Sequence, residues 1–340
     1  MKLSENAKIV IVRLSALGDV CHAMSVVTAI QTRYPKAEIT WITGKLEADL
    51  VSMMPGINIV RYQKSSGLKG MLAIRKQLSH KKFDVLLHMQ WSSRASLLTR
   101  MLKANVRVGF AKSHSREKQH WFVNTLAPEP RGRHVLDTLM SMAEAIDVMP
   151  EPPRWQLSVP KRQTSLSSSY VIINPCGSKV SKNWTLEGYR KLIDYLLSQN
   201  ENVVLTGGPT PVEIEFVNAI AKGYPVENLV GKTSITELTS VIQGAKLIIS
   251  PDTGPAHIAT VVGTPMVGLY ALSNPERTGP YYNQSSVVSV YQELAEKEYG
   301  KSLADIPWAS TVHDPDAMTH ISLDSVLEKV RLALLNSANE

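Results

Sequence analysis

Asp19 is the only acid in "RLSALGDVCHAM", a strand-to-helix junction near the amino terminus. It has two chemical uses. As a helix N-cap it would accept backbone N–H groups, a contribution of about 0.5–2 kcal/mol. As a carboxylate at the rim of a cleft it would take a proton from a substrate hydroxyl. The uses are compatible only if one carboxylate oxygen stays clear of the backbone. Further along, "NPCGSKVSKNW" (Asn174–Trp184) ends a strand in small residues and follows them with Lys179 and Lys182. Small residues let an anion approach the backbone, and a lysine supplies a compact positive charge. The Gly-x4-Gly-Lys-Ser/Thr spacing of a P-loop is absent. "TGGPTPVEIE" offers Gly207 and Gly208 for close backbone approach. Glu213 in it suits either a ribose diol or the dipole of its own helix. In "SPDTGPAH", Asp252 and Thr253 lie just past a strand, Gly254 permits unusual dihedrals, and Pro255 suits a first helical turn. The N–H groups of Gly254, Ala256 and His257 would face a diphosphate there, while Pro255 has none to add. His257 is either a satisfied helix histidine or a donor to phosphate.

Each of these loops needs a strand before it and a helix after it. In the first half, Lys8–Leu14, Glu38–Thr43, Phe83–Gln90 and Val106–Gly109 read as apolar strands. Helical spacing covers Val20–Arg33, residues 67–82, Ser92–Leu102 and His134–Val148. Four prolines and a Ser-rich tail make residues 148–169 the linker candidate. Beyond it the alternation restarts, with strands at 170–175, 202–209, 229–232, Leu247–Ser250 and Pro265–Tyr270. The helices of this half are 185–199, 212–223, 235–245 and about Pro255–Val262, and after an irregular region, Ser273–Thr319, a last amphipathic helix covers Leu323–Leu335. Two doubly wound parallel sheets in series follow, with ligands expected at the carboxyl ends of the strands, around a cleft between the halves.

The length of 340 residues fits two such domains. Neither a signal peptide nor a bilayer-length apolar run is expected, and Cys21 and Cys176 read as two free thiols of a reduced cytoplasmic compartment. The net charge of +7 is unevenly placed. Residues 1–160 hold 23 Lys+Arg against 12 Asp+Glu, whereas 161–340 hold 14 against 18. Arg61–His134 alone carries 16 basic and 3 acidic residues, which points to an anionic partner for the first half: nucleic acid, lipid head group or phosphorylated glycolipid.

Together, "RLSALGDVCHAMSVVTAI", "NPCGSKVSKNW", "GGPTPVE", "LVGKTSITEL" and "SPDTGPAHIATVVGTPMVGLYALSNPERTGPY" resemble glycosyltransferase family 9, the ADP-heptose:lipopolysaccharide heptosyltransferases. The resemblance runs in order over about residues 8–335. It implies an α/β fold of the GT-B type, two Rossmann-like doubly wound domains facing a central cleft. Residues 1–160 would bind the acceptor and 161–321 the nucleotide-sugar, with a helix at about 322–336 packing back on the first domain. The implied reaction is inverting, metal-independent transfer of heptose from ADP-L-glycero-D-manno-heptose to the inner core of lipopolysaccharide. No cofactor is implied, since the ADP-sugar is a substrate. Carried over by motif, Asp19 matches the general base and Lys182 the lysine on the donor diphosphate. Glu213 matches the acid on the ribose, and Asp252 the acid that contacts the donor sugar. Thr253, Gly254 and His257 share its phosphate loop, Thr233 falls near the adenine, and Ser178 and Lys179 complete the donor set. For the phosphorylated acceptor the implied contacts come from Arg61, Lys64, Arg94, Arg100, Arg116, Lys118, Arg131 and Arg133. The same charge would hold a cytoplasmic enzyme peripherally on the anionic inner membrane.

Rival readings are weaker. A nicotinamide oxidoreductase lacks its Gly-x-Gly-x-x-Gly after the first strand. A nucleic-acid module lacks a recognised motif, and aromatic content is only 6%, so no nucleic acid is expected. A relative using another nucleotide-sugar or acceptor stays open, because "YALSNP" departs from the family's commoner Gly-Pro-Ser/Thr. The Asp-x-Asp of "HDPDAMTH" (His313–His320) follows no strand, so turn and capping roles are expected rather than a metal.

Overall fold

The computed structural model describes residues 1–149, 151–161, 166–177 and 179–337. The chain divides into two compact units, Met1–Ser158 and Val159–Glu340. The first contains β1 (Lys8–Val12), α1 (Leu17–Arg33), β2 (Glu38–Gly44), α2 (Lys45–Val51), β3 (Ile57–Tyr62) and α3 (Gly67–Gln77). It continues through β4 (Phe83–His88), α4 (Ser93–Met101), β5 (Ala104–Gly109), β6 (Thr125–Leu126) and α5 (Val135–Glu144). All strands run parallel in the order β3-β2-β1-β4-β5-β6. The β1 register Ile9–Val12 is buried throughout, as expected of a parallel strand with helices over both faces. On one face Val10, Val12, Ile42 and Leu86 pack with Met71 and Ile74 of α3 and Leu98 of α4.

The second unit contains β7 (Val171–Ile173), α6 (Leu186–Ser198), β8 (Val203–Leu205), α7 (Pro211–Ala221), β9 (Glu227–Asn228) and α8 (Ile235–Gln243). It then adds β10 (Leu247–Pro251), α9 (Gly254–Val262), β11 (Met266–Tyr270), α10 (Pro275–Thr278), β12 (Val287–Ser289), α11 (Tyr291–Tyr299) and α12 (Leu323–Ser337). Its parallel order, β9-β8-β7-β10-β11-β12, repeats that of the first unit strand for strand. In each sheet the winding reverses beside the first strand, between β1 and β4 and between β7 and β10. Loops leaving the two strands on either side of such a reversal diverge and open a crevice.

Several sequence expectations need correction. α1 begins three residues earlier than the apolar spacing indicates, at Leu17. β3 was not anticipated, although Pro55-Gly56 ends the preceding turn with Gly56 at φ +71° and the β-branched residues Ile57, Ile59 and Val60 follow. Leu229–Lys232 is a turn, not a strand: Gly231 sits at φ +67°, and Lys232 N–H bonds Leu229 O at 3.0 Å. The region 273–319 is not irregular throughout, since it supplies α10, the edge strand β12 and α11. Within its own unit the last helix packs on α6, β10, β11 and β12, with Val326 and Val330 buried. Part of the linker belongs to the first unit, because Trp155 Nε1 donates to Cys21 O at 2.7 Å and Ser158 N–H to Met53 O at 2.8 Å. Residues 150 and 162–165 of that linker lie outside the described residues.

One buried titratable group makes the first unit sensitive to acid. His88 ends β4 fully buried, with Nε2 2.9 Å from Ser96 Oγ. Burial, with the Arg13 charge, pushes its pKa from 6.5 down to about 3. Below the unfolded value the unfolded chain takes up a proton that the fold refuses. Stability is therefore full above pH 6.5 and is lost toward pH 3, at up to about 1.4 kcal/mol per pH unit. In thermal melts from about pH 7 to about pH 5, the gap between the parent chain and His88→Gln is expected to narrow as pH falls. Parallel curves would show that His88 is not held neutral.

Candidate active site

In the first unit the site forms where β1 and β4 end side by side. Gln90 Oε1 accepts the N–H groups of Leu14 and Ser15 at 2.9 and 3.2 Å, tying the two loops together. Arg13 is 1% exposed; its Nη1 donates to Met89 O at 2.5 Å, and its guanidinium lies 5.6 Å from the Trp91 ring. Its Nη2 pairs with Oδ2 of Asp19, the third residue of α1. Ala16 N–H donates to the same oxygen at 3.3 Å. Among the described residues nothing donates to Oδ1, and the side chain is 34% exposed. Asp19 thus closes the first turn of its helix with one oxygen and keeps the other open.

The same unit holds a cavity of about 720 Å³, lined from the ends of β1, β2, β3 and β4 and by Glu117; Leu14 and Ser15 of the β1–α1 loop line it, and Asp19 itself does not. Lys64 and Arg94 line it, as does Glu47. Burial raises the Glu47 carboxyl above the usual range, against the opposing charges of Arg13 and Lys64. Gly44 permits this arrangement, because a Cβ there would stand 2.6 Å from Leu14 O and would collide with the Glu47 carboxylate. The other basic candidates stand elsewhere. Arg61 pairs with Asp49 at 3.3 Å and Arg131 with Glu144 at 3.1 Å. Arg116 lies over Trp91 and Lys118 over Trp121, while Arg100 and Arg133 are exposed.

In the second unit the matching crevice lies past β7 and β10. Lys182 Nζ reaches across it to Asp252, at 2.9 Å from Oδ2 and 3.0 Å from the main-chain oxygen. Ser273 Oγ donates to the same Oδ2 at 2.6 Å, and His257 Nε2 lies 3.3 Å from Oδ1. Burial by itself would raise the Asp252 pKa, but the His257 hydrogen bond and the Lys182 charge hold it well below the usual carboxylate range. Two of three ammonium protons of Lys182 are committed to Asp252, which leaves one for a ligand. Gly177 makes room for the lysine stem: a Cβ there would stand 2.8 Å from Lys182 Cβ.

The helix start beside this cluster differs from those of the three helices before it. α6, α7 and α8 are capped by the side chains of Thr185, Thr210 and Ser234. The N-cap of α9, Thr253, makes no such bond. Its hydroxyl turns instead to Ser250 Oγ at 2.9 Å and to Asn174 Nδ2 at 3.4 Å. The first turn of α9 therefore keeps the partial positive charge that a phosphate would meet. The His257 N–H is already used, donating to Thr253 O at 3.3 Å, so the candidate donors narrow to Gly254 and Ala256.

Glu213 is drawn into its own loop, its Oε2 accepting Gly208 N–H at 2.6 Å and its Oε1 the Thr210 hydroxyl at 3.1 Å. Lys179 is exposed, Thr233 is half-buried just ahead of α8, and Ser178 lies outside the described residues. Sequence reading missed Asn174 and Ser273. Asn174 was within view as the first residue past its strand, whereas Ser273 meets Asp252 only through the fold. Both cysteines are buried and free, and burial pushes the Cys176 thiol up to about 12. The Asp-x-Asp segment is a turn in which Asp314 Oδ1 accepts Asp316 N–H at 2.9 Å, and His313 pairs with Glu298 at 2.6 Å. Among the described residues no group of three or more His, Cys, Asp or Glu side chains is placed to hold a metal ion. No described helix is long and apolar enough to cross a membrane.

Comparison with known proteins gives concordant results. The sequence profile of glycosyltransferase family 9 (heptosyltransferase) matches residues 71–306. The lipopolysaccharide core heptosyltransferase OpsX of Haemophilus influenzae is 42% identical over 94% of this chain and 95% of its own. The lipopolysaccharide heptosyltransferase 3 of Escherichia coli K12 is 27% identical over 76% of this chain and 80% of its own. Among solved structures, the E. coli heptosyltransferase WaaC with ADP superposes with a TM-score of 0.76 at 19% identity, covering 96% of this chain and 99% of that one.

Proposed function

The chain belongs to glycosyltransferase family 9, the heptosyltransferases, and from that premise we propose that it transfers heptose from ADP-heptose to the inner core of lipopolysaccharide. The observation that carries this reading is the Lys182–Asp252–His257–Ser273 cluster beside the uncapped start of α9. A leaving ADP needs fixed positive charge at its diphosphate. The free proton of Lys182 and the N–H groups of Gly254 and Ala256 supply it without reorganisation at the moment of reaction. Asp252 holds the lysine in place and offers its remaining acceptor capacity to the sugar. The relative in E. coli was solved with ADP, and another of its structures with ADP-2-deoxy-2-fluoro heptose, which favours the same donor class here.

In the first unit the open oxygen of Asp19 takes the proton of an acceptor hydroxyl. The hydroxyl oxygen attacks the anomeric carbon as the bond to the diphosphate breaks, and ADP departs with the electron pair, so the anomeric configuration inverts. The cavity with Lys64 and Arg94 suits the anionic sugars of a phosphorylated core acceptor. No step calls for a cofactor. The enzyme would work in the cytoplasm, at the inner face of the membrane that carries its acceptor.

The test is ADP release from ADP-heptose, measured with lipopolysaccharides truncated at successive core positions. One truncation is expected to support turnover and to gain a single heptose by mass spectrometry. Turnover with a different nucleotide-sugar, and none with ADP-heptose, would reject the donor.

A further inference from the structure

α3 presents an apolar strip that its own unit does not cover. Met71 and Ile74 face the sheet and are buried. Leu68 and Leu72 are 58% and 47% exposed. At helical spacing these leucines stand about 40° apart, on one outward face. Arg75 flanks that face on one side, with Lys76 and Lys69 on the other, and none of the three has an acidic partner among the described residues. From Gln63 to Lys82 the chain holds six Lys+Arg and no Asp or Glu. Basic side chains beside an apolar strip lay their stems along it and raise their charges to an anionic plane, the pattern of a helix lying in a membrane interface.

The position of α3 adds a second argument. Lys64 and Ser65, just ahead of it, line the 720 Å³ cavity, and so does Leu46, itself 55% exposed. The cavity that the proposed reaction gives to a lipid-linked acceptor thus has the exposed Leu46 in its lining and, at Lys64 and Ser65, borders the start of the segment that carries Leu68, Leu72 and the three cations. We infer that the Leu68–Lys76 face of α3 is the element by which this chain docks on an anionic bilayer, bringing the cavity to its acceptor. The inference rests on the acceptor reading above and names the surface that serves it. Two leucines and a few cations give reversible, salt-sensitive binding rather than anchorage.

The experiment is partition of the full chain onto vesicles of phosphatidylethanolamine and phosphatidylglycerol, read by co-sedimentation, beside turnover on a deacylated, water-soluble core acceptor. The parent chain is expected to bind, and to release as salt rises. Leu68→Ser/Leu72→Ser and Lys69→Glu/Lys76→Glu should each lower partition at least about tenfold. Both variants should keep their melting temperature and their kcat/KM on the soluble acceptor. Parent-like partition of both variants, or no binding by the parent, would overturn the inference. So would sedimentation equilibrium showing a dimer lost in the leucine variant at unchanged vesicle binding, since the face would then cover a second copy. Failure of the heptose-transfer reading is a separate result, visible as no turnover of the soluble acceptor by the parent chain.

Discussion

Replacing Asp19 with Asn is expected to leave ADP affinity unchanged and to lower kcat by about 10²–10⁴-fold, the usual worth of a positioned general base. The substitution is close to isosteric, and the amide oxygen still accepts the Ala16 N–H that Asp19 Oδ2 accepts at 3.3 Å. What disappears is proton affinity at the open oxygen. The substitution also removes the anion paired with Arg13, a guanidinium only 1% exposed. Loss of stability is therefore expected alongside loss of rate, because breaking a buried pair leaves one charge uncompensated. The two effects separate by experiment. Calorimetry with ADP and a thermal melt report whether the variant is folded and still binds the donor product, while stopped assays report kcat. A folded, ADP-binding variant with near-parent turnover would remove Asp19 from the chemistry.

Lys182→Ala carries the second large effect. Loss of one charge-assisted contact to the diphosphate weakens ADP binding by about 10- to 100-fold, from about 1.5–3 kcal/mol. The rate should fall further, by about 10²-fold, because the charge on the departing diphosphate grows in the transition state. The variant also strips Asp252 of its closest cation, at 2.9 Å, and leaves that carboxylate to His257 and Ser273. A double variant, Lys182→Ala/Asp252→Asn, resolves the two roles. Its melting temperature should recover relative to the single variant, since no buried charge is left alone. Its ADP affinity should stay low. Recovery of affinity with stability would mean that Lys182 serves only to neutralise Asp252.

Much of this arrangement was legible in the sequence. The strand-loop-helix junctions carrying Asp19, Lys182 and Asp252 follow from apolar runs broken by small and turn-forming residues, and all three side chains stand at crevices of their sheets. The condition set for Asp19, one oxygen clear of the backbone, could be stated from sequence but not answered, because it depends on Arg13 claiming Oδ2. Ser273 was out of reach for a different reason. It lies 21 residues beyond Asp252, and only the side-by-side ends of β10 and β11 bring its hydroxyl within 2.6 Å of that carboxylate. Charge density along the chain marked Arg61–His134 as basic but did not sort it. Whether an arginine lines a cavity, as Arg94 does, or spends its charge on a neighbour, as Arg61 does on Asp49, is set by which way its strand or helix turns.

The central claim is that the start of α9, with Lys182, seats the diphosphate of the donor. A crystal structure of the chain grown with ADP tests it most directly. The account predicts diphosphate oxygens within hydrogen-bond distance of Lys182 Nζ and of the N–H groups of Gly254 and Ala256. ADP bound away from α9, with the Lys182–Asp252 pair untouched, would contradict it.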